Sequence, residues 1–89
     1  MKCLMKKRLK RTPKIIRRKL GRERAYGQYL EESQTIELDS RLEKKVALDT
    51  LIHEAIHHIV PRMTEKQVLT TASQLATILW DQNYRRVEQ

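Results

Sequence analysis

The stretch Leu48-Asp49-Thr50-Leu51-Ile52-His53-Glu54-Ala55-Ile56-His57-His58-Ile59 decides how this chain is read. Leu48, Leu51, Ile52, Ala55, Ile56 and Ile59 recur at i, i+3, i+4, i+7, i+8 and i+11, one continuous apolar stripe on a helix. The spacing predicts a helix from about Leu42 to about Ile59, stopped by Pro61, with Asp39 or Ser40 capping its approach. On the helical wheel His53 and His57 lie nearly opposite the centre of the stripe, so they face a cleft or solvent.

His53-Glu54-Ala55-Ile56-His57 is an HExxH pentapeptide. Side chains at i and i+4 share one helix face, so both imidazoles can reach a single zinc ion. Glu54 follows the first ligand and sits beside the metal without binding it. There it can take a proton from a water on the zinc and hand it to a leaving amine.

A third ligand follows by elimination. His58 points about 100° away from His57 on the helix and does not complete the site. Val60 and Met63 stand where a metzincin needs Gly and His. Downstream of His57 the carboxylates are Glu65, Asp81 and Glu88. Glu65 shares a wheel sector with Val68, Leu69, Ala72 and Leu79, which makes it an inward acid that a metal would satisfy. Asp81 lies on the opposite face of its helix and is the weaker choice. Asp49, one turn before His53, is a candidate for orienting an imidazole. Tyr26, Tyr29 and Tyr84 are candidates for donating to a developing oxyanion, against the plainer role of packing.

Outward from the motif, Thr64 followed three residues later by Gln67 is a capping-box pattern for a second helix. Val68, Leu69, Ala72, Leu75, Ala76 and Leu79 give it a matching stripe up to Trp80. The short linker predicts an antiparallel or steeply crossed helix pair. Upstream, Ala25 to Leu30 and Thr35 to Asp39 read as strands joined by the turn Glu31-Glu32-Ser33-Gln34. Thr35–Asp39 alternates with period two, as a half-buried strand does, and is a candidate for pairing an extended peptide. Lys14 to Leu20 suits either a short strand or a turn or two of helix.

Charge divides the chain. Residues 1–24 carry twelve Lys and Arg against Glu23 alone, whereas residues 25–89 carry seven against ten acids. A basic arm, partly disordered or ordered by a partner, thus precedes a mildly acidic domain at 25–89. Such an arm binds nucleic acid or an acidic protein partner, or serves only solubility. With 89 residues the chain forms one small domain, for which a metal staple is plausible. Apolar runs are too short to span a bilayer, and Met1 to Arg11 has no apolar core of a secretory signal. The single cysteine, Cys3, fits a reducing, cytoplasmic compartment.

Gly27-Gln28-Tyr29, then Thr35–Asp39, then Leu51–His57, then Thr64–Val68 resemble small zincin-like metallopeptidases of phages and bacteria, of the minimal gluzincin type. In those proteins a strand precedes the HExxH helix and a glutamate on the next helix completes the zinc site. Over about residues 25–82, the resemblance implies an α+β fold of short antiparallel β-strands packed on two main α-helices. It also implies His53, His57 and Glu65 as zinc ligands and Glu54 as general base. SprT-like proteases share the HExxH but use a histidine as third ligand. The expectation is a zinc metallopeptidase acting on a protein or peptide substrate. The alternatives are a non-catalytic zinc-stabilised module that binds nucleic acid or a protein through its arm, and a scaffold that binds no metal.

Overall fold

Thr35-Ile36-Glu37-Leu38-Asp39 forms a strand with the predicted bounds, and the rest of the fold is arranged around it. The computed structural model describes residues 12–21 and 26–86. Its elements are β1 (Lys14–Arg18), β2 (Gly27–Leu30), β3 (Thr35–Asp39), α1 (Lys44–Ile59) and α2 (Glu65–Asp81), an α+β arrangement. Among the described residues, no helix is long and apolar enough to cross a membrane.

The sheet order is β1-β3-β2. β2 pairs antiparallel to β3 through the Glu31–Gln34 turn, closed by Gln34 N–H donating to Glu31 O at 3.2 Å, with Gln34 at φ 51°. β1 runs parallel to β3, so the expectation of only antiparallel strands is corrected. The boundary at residue 25 also moves: Lys14–Arg18, counted with the basic arm, is an edge strand, and the following Leu20 is buried. Ile15 and Ile16 pair with Ile36 and Glu37, a long-range partnership that local spacing does not reveal. Residues 1–11 and 22–25, the rest of the arm and the start of the expected first strand, lie outside the described residues.

Period two predicts one wet face for β3, yet all five of its residues are buried. Ile36 and Leu38 face the helices, since their β2 partners Tyr29 and Gly27 meet His58 and Thr50 of α1. On the other face the acids are neutralised in place. Glu37 Oε1 accepts from Arg18 Nη2 at 2.9 Å and Gln28 Nε2 at 2.7 Å. Arg41 grips Asp39 through Nε and Nη2 at 2.8 and 2.6 Å and donates its backbone N–H to the same carboxylate. Its Nη2 also reaches the Leu20 carbonyl at 3.3 Å, tying the end of β1 to the end of β3. Asp39 is therefore a clamp rather than a helix cap.

The Arg41 side-chain bonds, helped by its backbone N–H, hold the Asp39 carboxyl well below the usual carboxylate range. A group so depressed stabilises the fold above its unfolded value, about pH 4, and loses that contribution as pH falls through the folded value. Asp39→Asn is thus expected to melt lower than the wild type at neutral pH. The two melting temperatures converge as the pH drops below about 4. A gap that stays constant down to acid pH contradicts the clamp.

Gly27 lets α1 approach the sheet. A Cβ there would lie 2.8 Å from the Glu37 carbonyl oxygen and 3.0 Å from Thr50 Cγ2. Because the closer atom is backbone, the strand pair itself must give. Gly27→Ala is expected to cost about 1–3 kcal/mol in a denaturant titration; an unchanged midpoint contradicts this packing.

α1 starts at Lys44, two residues after the predicted start. Glu43 takes the N-cap position without a side-chain bond, and neither Asp39 nor Ser40 caps the helix. The helix lies between the sheet and α2, so it buries two faces instead of the single predicted stripe. Thr50, Glu54 and His58, spaced i, i+4 and i+8, form the buried sheet-facing side. Ile52 and Ile56 pack against Val68, Ala72 and Met63. Leu48, Leu51 and Ala55 remain half-buried, and Ile59 is 61% exposed.

Thr64 and Gln67 make both bonds of the predicted capping box at the start of α2. Val68, Ala72 and Ala76 form its buried row, while Leu69 and Leu75 of the expected stripe stand exposed. Small residues let α2 sit close to α1, which leaves the flanking leucines outside the contact. Asn83, at φ 67°, ends the helix: its N–H donates to Trp80 O and the Tyr84 N–H to Leu79 O, a Schellman arrangement.

Candidate metal centre

The site lies where the C-terminal half of α1 meets the first turn of α2. His53 Nε2 lies 3.0 Å from Glu65 Oε2, and His57 Nε2 lies 3.1 Å from Glu65 Oε1. The two imidazoles stand one helical turn apart, centroids 5.0 Å apart and planes at 64°. One ligand atom from each of His53, His57 and Glu65 falls within a 4.8 Å group, close enough to hold a metal ion. Donors at 2.0–2.1 Å from a tetrahedral ion lie roughly 3.3 Å apart, so the His–Glu separations are near those of a ligand set. The donors also suit a divalent ion chemically: two imidazoles and one carboxylate leave a fourth position for water or substrate.

Glu65 reaches the histidines because the Thr64 capping box fixes the first turn of α2 beside α1. Its side chain is 61% exposed, so it bridges the helices from the rim rather than as the enclosed acid expected. The helical wheel placed Glu65 inward, and did not anticipate this exposure.

Glu54 lies about 100° round the helix from His53, on the sheet-facing row, and is buried. Burial raises its carboxyl above the ordinary value; the nearby His53 and His57 pull it back, and the Glu65 charge raises it further. Glu54 and His57 line a cleft of about 410 Å³ together with Gln28, Tyr29, His58 and Pro61. One wall of the cleft is thus β2, and the other is the end of α1 and the turn after it.

His58 is turned away from the metal group, as the helical wheel requires. It is fully buried, and its Nδ1 lies 2.6 Å from the Tyr29 hydroxyl, rings in a T-shaped contact. This pair anchors α1 to β2 at the cleft wall. Its one legible signal was the i, i+4, i+8 row Thr50–Glu54–His58, which apolar periodicity passes over. Of the tyrosines, Tyr29 alone lines the cleft; Tyr26 and Tyr84 are exposed. Among the described residues Asp49 makes no hydrogen bond to either imidazole. Asp81 ends α2, roughly 24 Å along the helix from Glu65. Glu88 lies outside the described residues.

β3 lies in the middle of the sheet with both edges paired, so it cannot receive an extended peptide as expected. Among the described residues β2, at the cleft wall, pairs only with β3 and keeps its other edge open. Comparison with known proteins finds no matching family, no matching curated protein and no matching solved structure.

Proposed function

We propose that this protein is a zinc-dependent metallopeptidase of zincin-like type. The observation that carries the reading is the convergence of His53, His57 and Glu65 where α1 meets α2, with His57 and the buried Glu54 both lining the adjoining cleft. Zinc, held by those three residues, would raise the acidity of an attacking water and polarise the scissile carbonyl. Glu54 takes the proton of that water on its carboxylate and delivers it to the leaving amine. Its burial raises the carboxyl, which favours holding the proton between the two transfers. The substrate peptide lies along the open edge of β2, its backbone hydrogen-bonded there and its side chains alternating into and out of the cleft. Zinc is preferred on ligand chemistry, since two imidazoles with one carboxylate are a common catalytic zinc set. By this reading the basic N-terminal residues bring the enzyme to nucleic acid or an acidic protein, in a cytoplasmic setting.

A second reading follows from Glu65 itself. Its carboxylate spans both helices, so a metal there would also fasten α2 onto a small core. The test separating the two is hydrolysis of an unfolded protein such as casein, with and without a zinc chelator. Activity lost on chelation and restored by zinc supports the peptidase. Zinc-dependent folding without any hydrolysis supports the staple.

A further inference from the structure

A second cavity, about 660 Å³, lies at the other end of the helix pair and shares no lining residue with the candidate metal centre. It opens between the start of α1, the end of α2 and the ends of β1 and β3. Leu42, Ala47, Leu48, Leu51 and Trp80 give it an aliphatic floor, all of them half-buried. Leu48 and Leu51 belong to the apolar stripe that the fold leaves incompletely covered. Around this floor stand Arg17, Lys44, Arg85 and Arg86.

Among the described residues, the charge of this rim is not balanced from within. The acid lining the cavity is Asp39, and Arg41 already binds both of its oxygens. Among the described residues Arg17, Lys44 and Arg86 form no ion pair. The first turn of α1, which opens onto the cavity, contains no acid and no side-chain cap. Arg85 is fixed in place: its guanidinium lies 3.8 Å from the Trp80 ring centroid and donates to the Trp80 carbonyl.

We propose that this groove binds an acidic amphipathic segment of a partner protein, with aliphatic side chains on the floor and carboxylates on the rim. The floor decides between polyanions. Single-stranded nucleic acid is held by stacking bases on aromatic faces, but the groove's one aromatic, Trp80, has Arg85 over its ring. Leucines and an alanine instead suit leucine-sized side chains, and unpaired cations at the rim select acids among apolar sequences and speed their capture.

Trp80 is the chain's single tryptophan, so its fluorescence reports directly on the groove. The probe is a synthetic peptide of Leu-Leu-Glu-Glu repeats, about twelve residues long. It is titrated into the full-length protein beside the same peptide with Gln for Glu, and beside an oligothymidylate. The acidic peptide is expected to shift Trp80 emission saturably. The double variant Arg17→Glu, Arg86→Glu, altered at two exposed positions, is expected to bind it at least about tenfold more weakly at moderate salt. Binding through the N-terminal basic residues instead would survive that variant and overturn the proposal. Equal binding of the Gln peptide, a response to oligothymidylate alone, or no response to any probe overturns it too.

Discussion

Glu54→Gln is expected to lower peptide hydrolysis by about 10²–10⁴-fold while the protein still binds zinc. The amide keeps the size and the hydrogen-bonding reach of the carboxylate but cannot carry the proton from water to amine. The zinc ligands are His53, His57 and Glu65 in the proposed reading, so the substitution leaves the ligand set whole. The same change is expected to act on stability in the opposite direction. Burial raises the Glu54 carboxyl, so its ionised form is disfavoured in the folded protein. A raised carboxyl contributes its full stability below the unfolded value and loses it as pH rises toward the folded one. Metal-free Glu54→Gln therefore melts higher than the metal-free wild type at neutral pH, and the difference closes below about pH 4. Inactive protein with a raised melting temperature identifies a functional residue that the fold tolerates at a cost. A variant that retains activity removes Glu54 from the mechanism.

His57→Ala and His58→Ala are expected to fail in different ways, although the residues are adjacent. His57 Nε2 faces the Glu65 carboxylate, and its loss leaves two of three donors. The wild-type melting temperature is expected to rise with added zinc, by about 4 kcal/mol of stabilisation when zinc stands a thousandfold above its dissociation constant. His57→Ala loses that response while its metal-free melting temperature stays close to that of the metal-free wild type. His58 instead lies buried with its Nδ1 on the Tyr29 hydroxyl. Removing it opens a cavity and strips a partner from that hydroxyl, a loss of about 2–4 kcal/mol in metal-free protein. The three side chains proposed to hold zinc remain, so the zinc response is expected to persist wherever His58→Ala stays folded. Calorimetric melts of the two variants, with and without zinc, read the contrast directly. A zinc response kept by His57→Ala contradicts the assigned ligand set.

Features carried by local spacing were legible in the sequence, and features carried by distant partners were not. β3 announced itself by alternation, and the Thr64 box by two residues three apart. The HExxH pair could be placed on one helix face for the same reason. The burial of Glu37 and Asp39 could not be read that way, because the cations and amide that neutralise them come from β1, β2 and Arg41. β1 itself was ambiguous, since Ile15 and Ile16 are flanked by bases and gain strand character only by pairing with β3. The first helix was legible, and so was the Ile52 and Ile56 side that meets α2, but its second buried side was not. Apolar periodicity marks the face a helix hides when it packs once. α1 packs twice, and its sheet-facing row is Thr50, Glu54 and His58. Gly27 is what permits that row to approach the sheet. The polar row is also where the candidate base sits, so the departure from simple patterning coincides with the site.

In the proposed reading α1 and α2 together hold a zinc ion. The metal content of the folded protein, purified without added metal and again after zinc is supplied and the excess removed, tests this. One zinc per chain in the wild type, absent from His57→Ala, is the result expected. Folded wild-type protein that holds no zinc, even after zinc is supplied, would contradict the site and the peptidase reading with it.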